Sequence, residues 1–165
     1  MQKSASRLAG SQKQDTCAKA AQKRIAVAGV SRNKDSMGVA NGIYLKLRDA
    51  GYQVFALNPN TDTVEGDPCY PNLKAIPEPV DGVVIGTRPE VAEQIVRDCA
   101  EAGVKRVWMH RSFGQGSVSD EATKFCKENG ITVIPGGCPL MFCEPVDFGH
   151  KCIRWWLGVT GSLPK

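Results

Sequence analysis

Residues 24–38 read RIAVAGVSRNKDSMG, and the order of residue types in that stretch decides the fold. The apolar run over residues 25–30 reads as a buried strand that stops at Gly29. A polar loop carrying Ser31, Arg32, Asn33 and Lys34 follows. Gly38 then precedes a helical pattern of Val39, Ile43, Leu47 and Ala50. A strand, a loop of phosphate size and a helix start stand in sequence. A helix start offers unpaired N–H groups and the positive end of a dipole, so it attracts anions. The first inference is a phosphorylated ligand held where the first strand hands over to the first helix.

Working outward, residues 52–57 alternate into a short strand that ends at the turn signal Asn58-Pro59-Asn60. Residues 61–79 hold only two weak pieces, a short strand near residues 68–70 and a helical turn at residues 72–76. Residues 81–86 (DGVVIG) form a second buried strand. Thr87-Arg88-Pro89-Glu90 then reads as a capping box with proline in the first helical turn. Val91, Ile95 and Cys99, with Ala92, Val96 and Ala100, fill the apolar face of the helix, which Gly103 closes. Residues 104–109 (VKRVWM) are a third buried strand. A Gly- and Ser-rich loop over residues 110–119 leads to a helix ending near Gly130, and residues 131–135 are the last strand. Residues 146–157 predict one more helix, with Trp155 and Trp156 partly covering the sheet.

Strands alternating with helices at this spacing predict an α/β fold. The expected form is one doubly wound, mostly parallel sheet with helices on both faces, Rossmann-like, over residues 23–165. Residues 1–22 are expected to form an N-terminal extension, helical or disordered. Ligands of such sheets sit beyond the carboxyl ends of the strands. Here those ends are residues 29–34, 58–60, 86–89, 109–111 and 135–138.

Charge narrows the partner. The net charge of +4 comes from the start of the chain. Residues 1–24 hold six Lys and Arg against Asp15, so 6 − 1 = +5, and the rest sums to about −1. A nearly neutral domain with a basic tail argues against a nucleic-acid partner. No apolar run approaches the roughly 20 residues of a membrane span. The tail has no continuous apolar stretch of the secretory kind; its few acids leave an organelle transit peptide as the alternative to a solvated extension. Seven cysteines without a Cys-x-x-Cys pair suit a reducing, cytoplasmic setting better than a disulfide framework. Cys99 and Cys126 fall on apolar helix faces.

The loop itself discriminates between nucleotides. A dinucleotide fingerprint needs Gly-x-Gly-x-x-Gly and an acid about 20 residues on. This chain has Gly29-x-Ser31, then Gly38, and its second strand ends in Asn58, so NAD is a poor match. No segment supplies a P-loop. A hydroxyl, an amide and two cations suit a diphosphate approached by side chains as well as backbone.

The stretch 24–38, with GYQVFALNPN (51–60), GDPCYP (66–71) and IPEPVDGVVIGTRPE (76–90), resembles the small bacterial CoA-binding proteins. These are related to the CoA-binding domain of the succinyl-CoA synthetase α-subunit. The likeness covers residues 23–164, and GGCPLMFCEPVDFGHKCIRWW (136–156) resembles the ending of one subgroup. The resemblance implies coenzyme A, or an acyl-CoA, as the ligand. It implies no synthetase activity, because this chain has no room for the phosphohistidine or the nucleotide-grasp parts. Carried over by position, Gly29, Val30, Ser31, Arg32, Asn33, Lys34 and Met37 form the phosphate loop. Asn58 and Pro59 flank the adenosine end, and Thr87, Arg88 and Pro89 line the pantetheine path. The synthetases place a lysine near the end of the second strand, where this chain has Asn60. Arg32, Lys34 or Arg88 must then supply the charge.

Other residues invite chemistry of their own. Cys138 follows Gly136-Gly137 at a strand end, where a thiolate could attack a thioester. His110 ends a strand at the expected pocket rim and could act as a general base. An acyl-CoA-processing enzyme using either residue is the alternative to pure binding, and an NAD-linked redox protein or sensor is a further one. Cys138, Cys143, His150 and Cys152 hold soft ligands, but the spacing matches no common zinc site and no metal is expected. His150, Arg154 and Trp155 are expected to anchor the last helix. The Trp155-Trp156 pair also marks a candidate surface for a homodimer or an unknown partner protein.

Overall fold

The structure is a computed structural model that describes residues 24–32, 38–111, 116–141, 146 and 148–159. Its strands are β1 (Arg24–Ala28), β2 (Gln53–Leu57), β3 (Thr63–Val64), β4 (Asp67–Tyr70), β5 (Gly82–Ile85), β6 (Arg106–Met109) and β7 (Thr132–Pro135). Its α-helices are α1 (Val39–Asp49), α2 (Pro89–Glu101), α3 (Asp120–Glu128) and α4 (Phe148–Val159). Single 3-10 turns stand at Leu73–Ala75 and Pro139–Met141.

The strands form one sheet in the order β3-β4-β2-β1-β5-β6-β7. Every pairing is parallel except the β3–β4 hairpin. This is the α/β, Rossmann-like arrangement that the alternating pattern predicts. The chain leaves β1 toward β2 on one side and returns to its other side as β5. Ala28 is thereby in register with both Leu57 and Ile85. A crevice opens between the loops that leave β1 and β5, as topology requires at such a reversal.

Side chains alternate across the sheet and make two cores. Ala26, Ala28, Val83, Ile85, Val107 and Met109 pack with Ala92, Val96 and Cys99 of α2 and Ala122 and Cys126 of α3. Val27, Ala56 and Val84 pack on the other face with Ile43, Tyr44 and Leu47 of α1 and with Met141. Cys99 and Cys126 are buried as their positions predict. Burial pushes the Cys99 thiol up to about 12, and the nearby Cys126 adds to the shift. Burial alone lifts Cys126 to about 11. Both behave as small apolar side chains.

Three readings need correction. The short strand expected near residues 68–70 is β4, but its antiparallel partner β3 is not legible in the sequence. Strands this short carry no period, and the turn uses Glu65 at φ 52 followed by Gly66 at φ 83. Thr87 is no helix cap: α2 begins one residue later, with Arg88 at the cap position, and the Thr87 hydroxyl donates to the Arg88 carbonyl (3.1 Å). Trp155 and Trp156 do not cover the sheet but are 68% and 61% exposed. The Arg154 guanidinium donates to the Met141 carbonyl (3.0 Å), which ties α4 to the 3-10 turn and leaves both indoles facing outward.

Candidate functional site

A cleft of about 920 Å³ occupies the crevice at the strand ends. Its size lies near the top of the range for small-molecule sites, roughly 300–1,000 Å³. The segment after β1 contributes Gly29, Val30 and Ser31, and the segment after β2 contributes Asn58, Pro59 and Asn60. Gly86, Thr87 and Arg88 come from the β5–α2 junction, and His110 from the end of β6. Seven residues singled out in the sequence as ligand contacts are thus brought together by three separate parts of the chain, and a fourth adds His110. Arg32 and Pro89 lie outside the lining, Pro89 serving as the first residue of α2. Asn33, Lys34 and Met37 lie outside the described residues.

Local chemistry explains each position. Gly29 ends β1 at φ 96, where an L side chain is strained. A Cβ there would also stand 2.7 Å from the Gly86 carbonyl oxygen, so the two junctions can meet only through glycine. Asn58 is fixed at both ends of its amide. Its Nδ2 donates to the Val30 carbonyl (2.7 Å), and its Oδ1 accepts the Asn60 N–H (2.8 Å). Helix α1 starts at Gly38, which offers no side-chain cap, and its first turn carries no acid. The positive end of the helix dipole therefore faces the cleft beside Val39 without a carboxylate of its own turn to answer it.

The wall opposite the loop is apolar. Leu57, Pro71, Leu73, Val91 and Ile95 line it, and Gln94 and Asp98 stand at its far end. Among the described residues, Arg88 is the only lysine or arginine lining the cleft and Asp98 the only carboxylate. On the third side, the Ser117 hydroxyl donates to the Thr87 carbonyl (2.6 Å), and its N–H donates to the His110 carbonyl (2.8 Å). His110 is buried there, at 6% exposure. The whole can take an elongated ligand, anionic where α1 begins and apolar along α2.

Several lining residues were not foreseen. Pro71, Asn72 and Leu73 reach the cleft because β4 runs parallel beside β2, so its carboxyl end opens on the same side. A recognised parallel β4 would have pointed to them. Gln94 and Asp98 share a face of α2 with Val91 and Ile95, which a helical wheel shows but cannot aim. Gly116 and Ser117 carry no local signal at all. Cys138, a candidate nucleophile, is buried in the α1-side core with Val27, Val30 and Met141 and does not line the cleft. Of the metal-site candidates, Cys143 and the His150 side chain lie outside the described residues. Among those that are described, no group of three His, Cys, Asp or Glu gathers. No helix of the described residues is long and apolar enough to cross a membrane.

With the geometry in place, comparison with known proteins identifies the relatives. A family model described as a CoA binding domain matches residues 23–144. The uncharacterised protein YneT of Bacillus subtilis is 33% identical over 116 residues, which span 70% of this chain and 82% of YneT. An ADP-forming acetate–CoA ligase of Archaeoglobus fulgidus is 34% identical over 122 residues. That match takes in 70% of this chain and only 18% of the ligase. Among solved structures, a conserved hypothetical protein from Pyrococcus furiosus superimposes with a TM-score of 0.60 at 32% identity. It matches 70% of this chain and 94% of its own.

Proposed function

This chain belongs to the CoA-binding domain family, and on that premise we propose that the cleft binds coenzyme A or an acyl-CoA, as a binding module without a turnover of its own. The observation that carries the reading is the β1–α1 junction. An uncapped helix start without an acid in its first turn opens beside Gly29, Val30 and Ser31 at the head of an apolar cleft. The diphosphate lies against Ser31 and the start of α1, with Arg32, Asn33, Lys34 and Met37 completing the loop. Asn58 and Pro59 hold the adenosine end. Pantetheine, uncharged and flexible, runs past Thr87 and Arg88 toward His110, with Pro89 fixing the start of α2 behind them. Arg88 supplies charge that Asn60 cannot. The long apolar wall is consistent with this path, because pantetheine offers amides and methylenes but no charge.

A thermal-shift titration with CoA, acetyl-CoA, NAD, NADP and ATP tests the reading. A ligand that binds only the folded state raises stability by about 2.7 kcal/mol at a hundredfold excess over Kd. The expected result is a shift with CoA and acetyl-CoA, reduced in Arg88→Ala. A shift with NAD and none with CoA overturns it in favour of a redox role.

A second reading, thioester processing, is favoured by one observation: His110 lines the cleft, whereas Cys138 is buried elsewhere. A general base at His110 could activate water against an acyl-CoA. Release of free thiol from acetyl-CoA by the parent protein, lost in His110→Gln with CoA binding kept, is the result that supports it.

A further inference from the structure

Beyond Gly29, whose N–H donates to the Leu57 carbonyl (3.4 Å), the start of the β1–α1 loop is held by side chains. Asn41 lies on α1 and is 1% exposed. Its Oδ1 accepts the Ser31 N–H, and its Nδ2 donates to the Ser31 carbonyl, both at 2.8 Å. That pair of bonds is what an adjacent strand would provide, supplied here by one carboxamide. At neutral pH the carboxamide of Asn or Gln is the side-chain group that offers a donor and an acceptor side by side. Since the Ser31 N–H is spent on Asn41, it is not a donor for a bound anion. What remains for the ligand is the position of Ser31 relative to the start of α1, and Asn41 sets it.

The second Nδ2 proton of Asn41 donates to Glu65 Oε1 (2.9 Å), across from the β3–β4 hairpin. Glu65 is the one non-glycine residue with positive φ among the described residues. A left-handed backbone at a side chain of this kind is costly and persists where surrounding contacts over-determine it. Those contacts are here. Arg48 donates to Asp67 Oδ2 (2.6 Å) and Tyr44 donates to the same oxygen (2.8 Å), which ties the hairpin to α1 next to Asn41.

We propose that Asn41, set by Glu65 across the hairpin turn, is the positioning residue of the phosphate loop. It holds Ser31 so that the loop and the α1 N-terminus converge on one anionic group before the ligand arrives. The inference rests on the CoA-binding reading of this cleft. Preorganisation of this kind raises affinity by lowering the ordering cost on binding, and it acts only on the part of the ligand that the loop touches.

The test separates positioning from general stability. Glu65→Gly removes the carboxylate while relieving the left-handed backbone. Its thermal midpoint is expected to stay level or rise, while its Kd for CoA weakens by about threefold to tenfold. Asn41→Asp keeps the shape but sets an acceptor against the Ser31 carbonyl and the Glu65 carboxylate. It is expected to weaken CoA by about tenfold or more. Pantetheine, which has no phosphate, is expected to bind both variants as it binds the parent. CoA affinity unchanged in both variants overturns the proposal, and so does an equal loss for CoA and pantetheine. Hydrogen exchange of the Ser31 amide without ligand reports the brace by itself: slow in the parent and fast in Asn41→Asp. A fast Ser31 amide in the parent removes the brace. A slow one in a parent that binds no CoA instead removes the binding reading on which the proposal stands.

Discussion

The two strand-to-helix junctions at the centre of the sheet occupy equivalent places and are built differently. Strands β1 and β5 pair side by side, and each delivers the chain to a helix at its carboxyl end. Residues 29–38 make the first passage and only residues 86–88 the second. The short passage leaves no slack: Pro89 opens α2, Glu90 stands in its first turn, and Ser117 holds the Thr87 carbonyl. Its helix dipole already has a carboxylate. The long passage ends at an uncapped Gly38 with no first-turn acid, and Asn41 and Asn58 brace its beginning. Neither helix start has a side-chain cap, so the carboxylate of Glu90 is what separates them. Under the CoA-binding proposal, the first junction is the receptor because its dipole is left unanswered, and the second is the wall against which it works.

The largest test of this contrast is at the contact between the two. Gly29→Ala puts a Cβ 2.7 Å from the Gly86 oxygen at a backbone of φ 96. We expect a loss of roughly 2–5 kcal/mol in urea unfolding, from left-handed strain plus overpacking. A loss under 1 kcal/mol would show that the junctions can slide apart. Next, Ser117→Ala strands the Thr87 carbonyl and should cost about 1–3 kcal/mol. Because it loosens the wall and not the receptor, the CoA phosphates should still be bound. A selective loss of phosphate affinity here would break the division of roles.

Gly38→Asp sharpens the comparison by making the first junction resemble the second. Gly38 has φ −69 and ψ 160, so an aspartate fits and can cap α1. Stability should rise by a few tenths of a kcal/mol while CoA affinity falls, since the capping carboxylate competes with the ligand. Both rising together would mean that the anion sits elsewhere.

The smallest effect is a pH response at the hairpin. Hydrogen bonds from Tyr44, then Arg48, hold the Asp67 carboxyl below its usual range. A lowered folded-state pKa stabilises the fold above the unfolded value of about 3.9, and the contribution is lost as pH falls through the folded value. Asp67→Asn should lower stability slightly at neutral pH, where the contribution is present, and flatten the acid side of the profile, where the parent loses it. An unchanged acid limb in urea midpoints measured from pH 6 to 3 would remove the carboxylate from this role.

Much of this molecule was legible in advance for a physical reason. A strand buried on both faces must be a short apolar run, and a helix packed on a sheet must repeat its apolar residues every three or four positions. The runs at 25–30 and 81–86 obey the first condition, and α2, through Ala92, Val96 and Cys99, obeys the second; the run at 104–109 is interrupted by the exposed Lys105 and Arg106. The alternation of such segments implies a parallel sheet and puts Gly29, Ser31, Asn58, Thr87 and Arg88 at one end of it. Strand β3 escaped because a two-residue strand has no period and the left-handed Glu65 that follows it is not a turn-forming type. Trp155 and Trp156 misled because bulk and apolarity do not say which way a helix is rolled, and Arg154 decided that by bonding to Met141.

What the sequence determined by itself is the set of local preferences: which segments extend, which coil, and where the chain must bend at glycine. These rest on neighbours within a turn or two. Only the tertiary structure decided that Asn41 meets Ser31 and Glu65, that Ser117 meets Thr87, and that Cys138 faces the core instead of the cleft. Those meetings join residues 10 to 30 positions apart in the chain, or set a side chain on one face of the sheet and not the other. No periodicity encodes them. They follow from the strand order that brings β5 back beside β1, and from the buried polar groups that each had to find a partner once it did.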